Sequence, residues 1–212
     1  MKLIGVMALN NFPLWRKAFD AMCELVDEVY IRFDGITGDP DILRELYRIA
    51  HPKMKEVMIT DTFWNPPEWR EEMLRLVNDA KPDIVICPDE DEVFGDGFRD
   101  ELESFWRSDK LAMMVAYEPL VTANGREVNK AAPYPPQPHM KAFKWRPGLS
   151  HYPWHTNAII APYVNAACHW SAVTRLKHYC CYTAALEKMK QWRSPTPGRK
   201  HKKVVTMLGF GE

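Results

Sequence analysis

Cysteine is scarce and unpatterned in this 212-residue chain: there are five, only Cys180 and Cys181 are neighbours, and no pair has C-x-x-C spacing. An odd count without paired spacing gives neither a disulfide framework nor a cysteine metal site, and leaves buried thiols as the expectation. No apolar run approaches the roughly 20 residues of a membrane span. Met1 to Gly5 also leads straight into a strand pattern without the small-residue cleavage site of a signal peptide, so a cytoplasmic protein with no membrane span is expected. The glycine fingerprints that cradle phosphate, G-x-G-x-x-G and G-x-x-x-x-G-K-S/T, are missing after the first strand pattern. Their absence disfavours dinucleotide redox and P-loop chemistry. No internal repeat is visible. Acids are nearly absent from the second half: residues 121–212 hold 3 Asp+Glu against 14 Lys+Arg, while residues 1–120 hold 25 against 14. The net charge of zero therefore conceals balances of −11 and +11. Either the two halves neutralise each other across an interface, or the basic half attracts a phosphate-rich partner such as a nucleotide, an anionic lipid or nucleic acid.

What is present fits one soluble globular domain, with 46% apolar and 26% charged residues. Lys2 to Leu9 reads as a buried strand, and Phe12 to Val26 as a helix with Leu14, Ala18, Ala21, Met22 and Leu25 at helical spacing. Val29 to Phe33 is a second strand ending on the Asp34-Gly35 turn. A short helix from Pro40 to Ala50, a strand from Glu56 to Thr60 ending on Asp61, and a helix from Pro66 to Ala80 follow. The last carries a stripe of Trp69, Met73, Leu76 and Val77. Ile84 to Cys87, short and β-branched, is a fourth buried strand. This alternation is that of a right-handed parallel α/β sheet. Further on, Gly95 to Arg107 reads as helix and Leu111 to Tyr117 as a strand ending on Glu118. Pro119 to Pro162 reads as loops and short strands rich in proline and aromatics, and Ala172 to Trp192 as a helix with Leu176, Tyr179, Thr183 and Leu186 on one face. Arg193 to Lys203 reads as a mobile basic end.

The fourth strand runs into Pro88-Asp89-Glu90-Asp91-Glu92, and Val93 and Phe94 resume the apolar pattern after it. Four acids in a row suit a solvated turn or a first helical turn. Wedged between apolar segments, however, their charge requires a partner. Asp89 and Asp91, one residue apart on extended backbone, point the same way and suit a hard divalent cation that bridges to phosphate. With Asp34 and Asp61 they put acids at the carboxyl ends of three of the first four strands, where open α/β sheets hold ligands.

These motifs together resemble the family 2-like glycosyltransferases of the GT-A fold, and in particular their small soluble bacteriophage members. Asn10-Asn11 is similar to the family's Asn-Glu after the first strand, with Asn in place of Glu. The stretch from Phe33 to Asp39 is similar to its Asp-Gly-Ser-Thr-Asp nucleotide turn, and Asp89-Glu90-Asp91-Glu92 to its D-x-D-E metal motif. Phe143-Lys144-Trp145-Arg146-Pro147 resembles a recurrent Phe-Arg-x-x-Pro stretch. His169-Trp170-Ser171 with Arg175 resembles the closing His-Tyr-Gly…Arg element. The resemblance implies a mostly parallel Rossmann-like sheet flanked by helices. It divides a single domain, 1–212, into a nucleotide-sugar-binding half at 1–118, an acceptor-binding half at 119–193 and a basic tail at 194–212. It also implies Mn²⁺ or Mg²⁺ held by Asp89, Asp91 and His169, and a nucleotide-sugar donor, most often a uridine diphosphate sugar, contacted by Asn10, Asp34, Asp61, Asp89 and Arg175. Asp34 or Asp61 could instead cap a helix.

Cleaving the anomeric C–O bond leaves a diphosphate, whose charge a metal and cations such as Arg146, Arg175 and Lys177 stabilise. An inverting enzyme also needs a carboxylate base. From the strand at Leu111 onward the acids are Glu118, Glu127, Glu187 and Glu212, and Glu118, at a strand end, is the candidate, acting with Asp91 at the catalytic centre. The basic, aromatic second half suits phosphate-backbone contact and base stacking, and the resemblance to phage sugar transferases implies DNA carrying a hydroxymethylated pyrimidine as acceptor, its base flipped out of the duplex. The alternatives are a glycan, lipid-linked or protein acceptor, a nucleotidyltransferase, or a non-catalytic nucleic-acid-binding module.

Overall fold

The first strand, β1 (Leu3–Leu9), is buried at all seven positions, as expected of a strand covered on both faces. The computed structural model describes residues 1–60, 66–123, 126–128, 138–151, 160–161, 168–181 and 206–209. Parallel to β1 run β2 (Glu28–Asp34) on one side and β4 (Ile84–Ile86) on the other, with β3 (Met54–Thr60) outside β2. The connecting helices are α1 (Trp15–Leu25), α2 (Pro40–Ile49) and α3 (Pro66–Leu76). Alternate residues of β1 feed two cores. Leu3, Met7 and Leu9 pack with Phe19 and Met22 of α1 and with Phe98 and Phe105 of α4 (Phe98–Arg107), whereas Ile4, Val6 and Ala8 pack with Met73, Leu74 and Val77 in and after α3. The α/β class and the parallel central block with helices on both faces are thus as the sequence implied.

The sheet continues past β4 with mixed polarity. β8 (Pro138–Lys144) is inserted antiparallel between β4 and β6 (Ala112–Ala123), β11 (Cys168–Cys181) lies parallel to β6, and β5 (Glu92–Phe94) pairs antiparallel with β11. β7 (Arg126–Val128) folds back on β6, β12 (Thr206–Gly209) covers the outer edge of β3, and β9 (Ser150–His151) pairs with β10 (Ile160–Ala161) apart from the main sheet.

Two expectations are corrected here. The segment from Ala172 is strand, not helix, as far as it is described. Val173, Thr174, Tyr179 and the cysteines are weak helix formers that suit a pleated surface, and β6 and β5 both offer backbone groups that need a partner. Glu118 does not end a strand, because β6 runs on to Ala123. Among the described residues, no helix is long and apolar enough to cross a membrane.

The cysteine expectation holds for Cys23 and Cys87, which are buried and in no disulfide, while Cys168 is half-buried. Burial, with the charge of Asp20 adding to it, pushes the Cys23 thiol up to about 12. Thiolate is the reactive form, so Cys23 should resist iodoacetamide at pH 8 in the folded protein and react once urea unfolds it. Peptide mass spectrometry reads this directly. Equal labelling of folded and unfolded protein would contradict the packing described.

Candidate functional site

In the order β3-β2-β1-β4 the chain builds outward from β1 and then returns to its other side. The carboxyl ends of β1 and β4 therefore flank the point where the winding reverses, the usual ligand crevice of such sheets. The acid turn lies there. Asp89 is still in parallel register with Ala8 of β1, and three residues later Glu92 is already paired with His178 of β11. The stretch from Asp89 to Glu92 thus joins the parallel block to the β11 edge.

Each acid of the turn has its own geometry. Glu92 is 1% exposed, and its Oε2 accepts the Asp89 N–H at 2.7 Å, closing the turn from inside. Glu90 reaches across to β1, where its Oε2 accepts the Asn10 N–H at 2.7 Å. Asp89 is one-third exposed, and its Oδ2 accepts from Lys141 Nζ at 3.0 Å. Asp91 is half-buried beside it. Lys141, from the middle of β8, is 2% exposed and also lies 2.7 Å from Glu92 Oε2. Burial pushes the Glu92 carboxyl above the usual carboxylate range, and the ammonium of Lys141 pulls it back.

Asn10 ties the acid turn to the Asp34 turn. Its carbonyl accepts the Asp39 N–H at 2.7 Å, and the Thr37 hydroxyl lies 3.1 Å from Asn10 Oδ1 and 3.0 Å from Asp34 Oδ2, so its one proton is shared. Asp34 is 1% exposed, and its Oδ1 accepts the N–H groups of Ile36 at 2.9 Å and Thr37 at 3.1 Å. Its carboxylate shapes the loop from within, in the manner of an Asx turn. The helix cap is Asp39, whose Oδ1 accepts the Asp41 N–H at 2.9 Å ahead of Pro40 at the start of α2. Beneath Asp34, Arg32 donates to Glu72 at 3.1 Å, with both side chains 3% exposed.

Hydrogen bonds and register bring Asn10, Asp34, Asp89 and Asp91 to the neighbouring carboxyl ends of β1, β2 and β4. Register brings two more backbones near them: Glu118 is paired with Lys177, which is itself paired with Val93, and Arg175 is adjacent to the Leu176–Phe94 pair. Glu118 is therefore two strand spacings from Val93, about 10 Å. His169 is not gathered in. It pairs with Met113, whereas His178 pairs with Pro119, so along β6 the two histidines are separated by six residues, roughly 20 Å. The His169 ring instead sits 5.8 Å from that of Phe105, on α4. Arg146 follows β8 at the end that pairs with Ile84, away from the acids. Asp61 lies outside the described residues.

No protein-family model and no curated protein matches this chain. Among solved structures it is similar to S. aureus TarS 1–349, with 19% identity and a TM-score of 0.45 over 61% of this chain and 39% of that one. It is also similar to the 4-diphosphocytidyl-2C-methyl-D-erythritol synthase of Anaerococcus prevotii, with 12% identity and a TM-score of 0.47 over 68% of this chain and 70% of that one. The chain thus spans about two-fifths of the TarS fragment.

Lys141 went unnoticed in the sequence. Its signal was a lone cation in an apolar run, Met140-Lys141-Ala142-Phe143, where a buried charge demands a partner. Among the described residues no three His, Cys, Asp or Glu side chains are assembled as a metal cage. Two carboxylates at a strand end nevertheless suit Mg²⁺ or Mn²⁺, which bind through one or two carboxylates and complete their shell with water and substrate phosphates.

Proposed function

We propose that the chain is a glycosyltransferase that binds a nucleoside diphosphate sugar in the crevice between the ends of β1 and β4. The observation that carries this reading is the acid turn at the point where the winding reverses, joined through Asn10 to the Asp34 turn. Asp89 and Asp91 would hold the divalent cation, which when bound neutralises the diphosphate as it leaves. Asn10 and the Asp34 loop set the position of the acid turn against the nucleoside side of the crevice, because Asn10 gives its N–H to Glu90 and accepts from the Asp39 N–H and the Thr37 hydroxyl. Glu118, brought within two strands of the acid turn, is the proposed base that takes the proton from the acceptor hydroxyl. His169 lies on the far part of β11, so of the three protein ligands proposed from the sequence Asp89 and Asp91 are the two that would hold the cation.

For the acceptor we propose a hydroxymethylated pyrimidine in DNA, on the strength of the +11 balance of residues 121–212. Incubating such DNA with the protein, Mn²⁺ and UDP-glucose should yield a hexose-shifted nucleoside. If no sugar donor gives one, the acceptor is of another class.

Titration calorimetry tests the donor site. UDP should bind with Mn²⁺ present and be lost with EDTA. Asp91→Ala should weaken the metal-dependent binding at least about tenfold, or ~1.4 kcal/mol. If no nucleoside diphosphate binds in the presence of metal, the transferase reading fails.

A further inference from the structure

The acid turn already contains a cation of its own. Lys141 is anchored in β8 between β4 and β6, and its 2% exposure places it beneath the turn, where a phosphate cannot reach it. It lies against two of the four acids, at 2.7 Å from Glu92 Oε2 and 3.0 Å from Asp89 Oδ2. The other oxygen of Glu92, Oε1, is buried without a hydrogen-bond partner. A buried ion pair with an unsatisfied oxygen is a poor anchor, since apolar residues of the same volume hold a turn as well or better. The pair does put a fixed positive charge behind Asp89, one of the two carboxylates offered to a divalent cation.

Resting on the nucleotide-sugar reading, we infer that Lys141 is a positioning residue that competes with the divalent cation for Asp89. Its ammonium keeps the bare turn from binding metal tightly, and the cation is retained only together with the donor's diphosphate. Like charges repel most where water is excluded, and a carboxylate oxygen held by an ammonium must give up that contact to ligate metal with the same lone pairs. The diphosphate supplies the anionic oxygens that the turn alone withholds. Glu92 has the opposite effect, drawing the ammonium inward and away from Asp89.

The test measures Mn²⁺ affinity without nucleotide and then with UDP, by titration calorimetry and electron paramagnetic resonance, well below the melting temperature of each protein. The wild-type chain should bind Mn²⁺ weakly alone and tightly with UDP. Lys141→Met should tighten metal-only binding roughly tenfold, the lower range for a residue that supports a metal ligand. Lys141→Arg, which keeps the charge, should leave it weak. Glu92→Gln, which removes the charge that draws the ammonium away from Asp89, should weaken it further. A purely structural pair would move Lys141→Met and Glu92→Gln in the same direction, so opposite signs are the signature. Unchanged or weaker metal-only binding in Lys141→Met overturns the inference. Should that variant fail to fold, tighter binding in Glu92→Gln or Lys141→Arg overturns it. Intact metal-dependent UDP binding without the sign reversal sinks this inference alone. Absence of UDP binding in the wild-type protein sinks the donor reading with it.

Discussion

Arg32→Met is expected to destabilise the protein by about 3–5 kcal/mol, the usual cost of removing one partner from a buried ion pair. The guanidinium donates to Glu72 at 3.1 Å, both side chains are 3% exposed, and Asp34 adds a second negative charge close by. Burial pulls the Arg32 pKa down while these acids hold it up. Methionine fills the volume but leaves Glu72 and Asp34 without the cation. The measurement is thermal unfolding, where the loss should read as a fall in Tm of roughly 6–20 °C for a chain of this size. The double variant Arg32→Met with Glu72→Leu should recover most of it, because an apolar pair of similar volume avoids the uncompensated charge. A single variant that melts with the wild type would mean that the pair is solvated in solution.

Gly38→Ala should have the largest effect on the crevice itself. A Cβ at Gly38 would stand 2.1 Å from the carbonyl oxygen of Asp34 and 2.5 Å from the Phe33 ring. The first clash is with backbone, which no rotamer change relieves. The carbonyl it strikes is also the acceptor of the Gly38 N–H at 2.9 Å, so the turn must open. The next residue, Asp39, gives its N–H to the Asn10 carbonyl and caps α2, so the displacement reaches both β1 and the helix. Overpacking of this kind costs about 1–3 kcal/mol. UDP affinity should fall together with stability. Unimpaired UDP binding in a destabilised Gly38→Ala protein would mean that the Asp34 turn takes no part in the donor site.

The parallel half of the fold was legible because its signals are local. β1 is an unbroken apolar run, β2 is apolar from Val29 to Phe33 but for Arg32, and Pro40 behind Asp39 marks the start of α2. The acid turn was legible for the same reason, as four charges inserted between apolar strands. What escaped depends on partners distant in sequence. Leu176 and Tyr179, with Thr183 and Leu186 after them in sequence, recur at a spacing that a helix accepts, and pairing with the edges of β6 and β5 decides for strand over 173–181. The position of His169 follows from its register against Met113, which nothing near it encodes. Lys141 lies 49 residues from Glu92, so its pairing appears only once β8 is inserted beside β4.

The brevity of the connection from Asp89 to Glu92 constrains how this protein can vary. One end is held beside Ala8 and the other is paired with His178, leaving no slack between them. An inserted residue would have to be absorbed downstream, by slipping β5 one place along β11. A slip of one exchanges the faces to which Val93 and Phe94 point, taking Phe94 from its place and breaking its 4.0 Å stack on Phe98. Relatives that differ in length should therefore spend their insertions elsewhere and keep these four positions contiguous, whatever sugar or acceptor they use.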